Sequence, residues 1–170
     1  MQTLRYEHHT GERNDEDIDL FHEQLGEAKR QCKSQAIVIL MGDLSAKVGN
    51  EEIYNVTEKF GLEKQNERGE QWISWCKAND QCITNTRFMN LARLRWSCRD
   101  PEDRKLNQID YITINHRFRN AVIIAKTYPG ADGDSDHNPV ICSIKLELHR
   151  LKRARQIQNF SGTYFERMKR

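Results

Sequence analysis

AIVILMGD, residues 36–43, is the stretch on which the fold turns. The run Ala36–Met41 is apolar, rich in β-branched residues and closed by Gly42, which reads as a buried strand. It is far too short to span a bilayer, which takes about 20 apolar residues. Upstream, NDEDIDLFHEQLGEAKRQC at 14–32 opens on Asn14 and a group of acids, as helix N-termini do. Ile18, Phe21, Leu25, Ala28 and Cys32 then recur at three- and four-residue steps, one face of an amphipathic helix. A helix, a buried strand, then a glycine and an acid predict a sheet covered by helices. Downstream, 66–78 is helical in pattern, with Trp72, Ile73, Trp75 and Cys76 as its apolar side. Strands are predicted at 82–86, 108–114 and 121–127, and the alternation of Val140, Cys142, Ile144, Leu146 and Leu148 with polar residues predicts another. RDPEDRK at 99–105 is a polar turn between two strands, and PGADGDSD at 129–136 is a loop by composition. The expected class is mixed α/β (α+β), with short strands and two or three helices.

Composition narrows the setting. The 170 residues are 37% hydrophobic and 31% charged, enough for one modest core. MQTLRYEHHTGER at the start has no apolar stretch behind a basic one, so no signal peptide is expected. The five cysteines (Cys32, Cys76, Cys82, Cys98, Cys142) are odd in number and far apart, with no CxxC pair to indicate zinc or a disulfide framework. The expected location is therefore intracellular, nuclear or cytoplasmic, with no membrane partner, and the sequons at Asn55 and Asn159 read as chance. The net charge of +2 is uneven: residues 150–170 carry seven Lys/Arg against one Glu, which leaves the body at −4. That division predicts a domain over 1–149 and a basic tail or linker over 150–170. Lys152, Arg153, Arg155, Lys169 and Arg170 are the candidate contacts to a polyanion, although a solvated linker explains the same run.

Three acidic positions stand where strands end or loops begin. Asp43 follows the buried strand, Asp110 lies between Ile109 and Tyr111 in a predicted strand, and Asp136–His137 close the glycine-containing loop. A carboxylate in an apolar strand costs free energy unless it is paired or binds a cation. Phosphodiester hydrolysis asks for such parts: a carboxylate-held Mg²⁺, a group that orients or deprotonates water, and a cation facing the developing oxyanion. Singly, each residue has an ordinary use as turn former, ion-pair partner or solvated loop residue.

The spelling adds a resemblance. MGDLSAKVG at 41–49 is similar to the GDFNA segment of the endonuclease/exonuclease/phosphatase superfamily, NQIDYI at 107–112 to its NxIDYI strand, and SDHNPV at 135–140 to its SDHxPV loop. NERGEQWISWCKAN at 66–79 and ITNTRF at 83–88 resemble the intervening helix and strand. RKLNQIDYI and KTYPGADGDSDH are most similar to endonuclease domains of non-LTR retrotransposons and to host proteins of the craniofacial development protein 2-like family. The resemblance runs from about Tyr6 to about Leu148. It implies a partial two-sheet β-sandwich flanked by helices, with the family's N-terminal strands missing, and Mg²⁺ (or Mn²⁺) as cofactor.

The roles implied by the resemblance are specific. Asp43 orients or deprotonates the attacking water, Asp110 holds the His137 imidazole, and His137 stabilises charge on the phosphoryl oxygens. Asp136 sits by the metal or protonates the leaving group, and Tyr6 falls where the family contacts phosphate. Ser45 replaces the family's Asn; loss of one donor to a transition-state anion typically costs about 10²–10³ in rate. The family's metal-binding Glu lies well upstream of the position matched by Tyr6, which only five residues precede. The resulting expectation is a truncated endonuclease-like chain, impaired or inactive in isolation, whose parent acts on DNA and is followed by a reverse transcriptase. The alternatives are a non-catalytic, domesticated module that binds nucleic acid or protein, and a phosphoinositide-type phosphatase.

Overall fold

The computed structural model describes residues 2–6 as backbone, and residues 15–100, 104–130 and 135–146. The side chains of Tyr6 and Asp15, and the tail with Lys152, Arg153, Arg155, Lys169 and Arg170, lie outside the described residues. The proposed boundary at 149/150 lies there too.

Strand β2 (Val38–Asp43) is the centre of a four-stranded sheet ordered β1-β2-β6-β3. It pairs in parallel with β1 (Gln2–Tyr6) and antiparallel with β6 (Asp110–Asn115), which in turn pairs antiparallel with β3 (Gln81–Ile83). The alternation of strand side chains gives this sheet two faces with different coverings.

One face carries Val38, Leu40, Ile83 and Tyr111, buried with Trp72, Ile73, Trp75 and Cys76 of helix α2 (Glu67–Ala78). Helix α1 (Asp15–Arg30) lies beside α2: the Trp75 indole N–H donates to the His22 carbonyl at 2.8 Å, and the His22 ring stacks on those of Trp72 and Trp75. The predicted apolar face of α1 is only half-buried, with Leu25 and Cys32 packed at the edge of this core. Helix α2 starts one residue after the expected 66, because Asn66 is its cap: the Asn66 side chain accepts the Gly69 N–H at 2.8 Å.

The other face carries Ile39, Ile112 and Ile114, and is covered by the antiparallel pair β7 (Val122–Thr127) and β8 (Val140–Ile144) through Val122, Val140, Cys142 and Ile144. Two sheets thus face each other with helices outside one of them, the two-sheet arrangement expected. A third, short antiparallel pair, β4 (Cys98–Arg99) with β5 (Leu106–Asn107), flanks the polar turn predicted between them.

Several boundaries differ from the pattern reading. The strand expected at 82–86 stops at Ile83 and becomes a 3-10 turn, Thr84–Thr86. There the Thr84 hydroxyl donates to the Ile112 carbonyl and the Thr86 hydroxyl to that of Ile83, so side chains take over bonds a ladder would supply. The last strand ends at Ile144 although alternation continues, and Ala121 belongs to a 3-10 segment, His116–Ala121. Strand β1 has no counterpart in the sequence reading. Among the described residues no helix is long and apolar enough to cross a membrane.

Candidate active site

The cross-strand pairs of β2 and β6 on the face toward β7–β8 run Ile39–Ile114, Met41–Ile112, Asp43–Asp110. The apolar ladder therefore ends in two carboxylates directly opposite each other, an arrangement that repels unless positive charge intervenes. His137 supplies it. Its Nδ1 lies 3.0 Å from Asp110 Oδ2, a half-buried contact that pairs the β6 acid with the loop before β8. Ligand atoms of Asp43, Asp110 and His137 all lie within 4.8 Å of one another. The hydrogen bond to Asp110 raises the His137 pKa above its usual 6.5, against the opposing effect of burial, and the charges of Asp110, Asp43 and Asp136 add to the rise.

Local turns aim these groups. Asp43 Oδ1 accepts the Ser45 N–H at 2.8 Å, and the Ser45 hydroxyl stands 3.5 Å from the same oxygen. This Asx turn bends the chain away from the sheet, with Ser45 at φ 48° in the left-handed region. The Leu44 N–H, donating to the Ile109 carbonyl, extends the β2–β6 ladder by one more bond.

Ser97 organises the other side and was not singled out by sequence reasoning. Its hydroxyl accepts the N–H groups of Ile109 and Asp110, each at 3.0 Å, and its carbonyl accepts the Asn138 N–H. Asn85 completes the frame: its amide donates to the Asp110 carbonyl and accepts the Ile112 N–H, both at 3.0 Å. Ser97 is fully buried between Trp96 and Cys98; a small hydroxyl inside an apolar triplet was the available signal.

Cys98 forms an isolated antiparallel bridge with His137, and the Arg99 N–H donates to the Asp136 carbonyl at 2.9 Å. The 135–138 loop is thereby sewn to 97–99. Asp136 is exposed, and its carboxylate groups with Cys98 and His137, again within 4.8 Å. Burial, followed by the charges of Asp136, Asp110 and Asp43, pushes the Cys98 thiol up to about 11.

The sequence-predicted residues thus divide. Asp43, Ser45, Asp110, Asp136 and His137 converge on one end of the sheet. Tyr6 ends β1 in register with Gly42, beside Asp43, as far as its backbone shows. The basic tail residues lie outside the described residues.

No family model matches the chain. Over 128 residues, 75% of the chain, it is 40% identical to Craniofacial development protein 2 of Bos taurus and 39% identical to that of Tragulus javanicus. It spans 22% of the length of each. Among solved structures, it is similar to the endonuclease domain of TRAS1, a telomere-specific non-LTR retrotransposon (TM-score 0.57, 16% identity, 79% of this chain and 54% of that one). A 3'-5' exonuclease (NExo) of Neisseria meningitidis is similar at TM-score 0.55 and 14% identity, over 77% of this chain and 54% of that one. An AP endonuclease of Archaeoglobus fulgidus gives 0.52 and 12%, over 75% and 53%. Over three quarters of its length the chain is thus similar to a part of craniofacial development protein 2, and it shares its fold with these endonuclease and exonuclease domains.

Proposed function

We propose that this chain carries the hydrolytic end of a metal-dependent phosphodiesterase acting on DNA, and that its turnover in isolation is slow. The observation behind the reading is the Asp43–Asp110–His137 constellation at the open end of the β2–β6 ladder. The nuclease fold of the solved relatives supports the substrate class.

Asp43 is the acceptor for a proton of the attacking water, its other oxygen contact being the Ser45 turn. Asp110 fixes the His137 ring and favours its protonated form. The imidazolium then faces the phosphoryl oxygens as charge grows on them, the task in which a preorganised cation gives most. Water oxygen bonds to phosphorus, the P–O bond to the leaving sugar oxygen breaks, and that oxygen takes a proton from bulk water. Ser45 offers the anion a single hydroxyl where the related enzymes have an amide.

The donor set fits Mg²⁺ or Mn²⁺ only in part. Mg²⁺ is usually held by one or two carboxylates together with waters and substrate phosphate, and exposed Asp136 is the carboxylate that would hold it here, since Asp43 faces the attacking water and Asp110 is engaged with His137. When bound, the ion would polarise the phosphoryl oxygens. So sparse a set is the physical reason for slow turnover.

A second reading, a non-catalytic nucleic-acid-binding module, is favoured by Ser45 and by the basic tail with Lys152, Arg153 and Arg155. Plasmid nicking with Mg²⁺ separates the two. The hydrolase reading expects slow nicking that His137→Ala and Asp43→Ala abolish and Ser45→Asn accelerates. Nicking by neither the wild type nor Ser45→Asn would leave only the binding module, whose affinity should fall steeply with salt.

A further inference from the structure

The cysteines promise no metal site from their spacing, but folding places one of them against two other ligands. We infer that Cys98, Asp136 and His137 form a binding site for a thiophilic divalent cation, Zn²⁺, which shares Asp136 and His137 with the proposed hydrolytic centre. One thiolate, one imidazole and one carboxylate, with ligand atoms mutually within 4.8 Å, is a three-ligand set that leaves a fourth tetrahedral position for water.

Three features support the site. Cys98 and His137 are bridge partners and the Asp136 carbonyl is bonded to the Arg99 N–H, so the backbone holds all three ligands in place. His137 Nδ1 is engaged with Asp110, which leaves Nε2 as the nitrogen with a lone pair to offer; a carboxylate on the far nitrogen is the usual outer partner of a zinc-bound histidine. Finally, Asp43 and Asp110 group around the same His137, so further carboxylate charge lies next to the three ligands and draws a dication.

Soft sulfur selects Zn²⁺ over Mg²⁺, whose preference is oxygen. Zinc binding itself does not depend on the hydrolase reading. Its consequence does: a cation on Nε2 occupies the imidazole proposed to face the phosphoryl group, so the two uses of His137 exclude each other.

The test is spectroscopic and does not read turnover, so its failure and the failure of the hydrolase reading are distinguishable. The full chain, stripped of metal, is titrated with Co²⁺ and then with Zn²⁺. The expected result is a thiolate-to-cobalt charge-transfer band that Zn²⁺ bleaches, that Cys98→Ser removes, and that Cys32→Ser retains. Asp110→Asn should keep the band and weaken Co²⁺ binding by about 10–100-fold. A wild type without the band, or a band that survives in Cys98→Ser, overturns the site. Should Cys98→Ser fail to fold, Asp136→Asn on the exposed loop decides. Binding weakened about tenfold or more, with the band kept, supports the site, and unchanged affinity overturns it.

Discussion

Asp110 is held through its N–H by Ser97, through its carbonyl by Asn85, and through its carboxylate by His137. Ser97→Ala removes the acceptor for two N–H groups, which typically costs about 1–3 kcal/mol per buried group left unsatisfied. A lower midpoint in urea denaturation should accompany slower nicking with substrate binding little changed. Ser45 occupies a left-handed backbone position that Asn tolerates better than Ser. Ser45→Asn is therefore expected to raise the melting temperature slightly as well as the nicking rate, and a fall in both would contradict the placement. The Asp110–His137 pair also sets a pH dependence. The folded pKa of His137 is raised above 6.5, so the pair's contribution to stability is complete below 6.5 and fades as pH climbs through the higher folded value. Thermal melts in EDTA should record that loss on the alkaline side in the wild type and not in Asp110→Asn.

Among the elements, helix α2 is tied to the segment that follows Asp43. The Asn66 side chain caps the helix and also accepts the Lys47 N–H at 2.8 Å, while the Asn66 N–H donates to the Lys47 carbonyl. At Gly69 a Cβ would stand 1.8 Å from that carbonyl oxygen, so no larger residue fits without displacement. Gly69→Ala should destabilise by about 1–3 kcal/mol, and Asn66→Ala by about 1 kcal/mol; chemical denaturation with circular dichroism distinguishes the two. Helix α2 was legible in the sequence because its tryptophan-bearing apolar side announces it within a single segment. Strand β3 was legible only in part, since Thr84 and Thr86 suit a strand by propensity but spend their hydroxyls on backbone carbonyls. Strand β1 was not legible: a short strand that pairs in parallel with β2 has no turn or strong alternation to mark it.

Across the whole molecule, the packing of β7–β8 on β2–β6 decides where His137 stands. Ile114, 1% exposed, lies in that interface with Ile39, Ile112 and Val122. Ile114→Ala is expected to cost about 2–5 kcal/mol. It should also loosen the His137–Asp110 contact, seen as a fall of the His137 pKa toward 6.5 in an imidazole NMR titration. The amino-acid sequence by itself determined the α/β class, the helices and the buried strand before Asp43, and it singled out Asp43, Asp110, Asp136 and His137 as candidates. Those follow from period, propensity and spelling, which are properties of short segments. Only the tertiary structure decided that Asp43 and Asp110 stand opposite each other, that Ser97 anchors the acid, and that Cys98 meets His137. Each of these depends on strand register or on contacts between segments distant in the chain, and register is fixed by which faces are buried together.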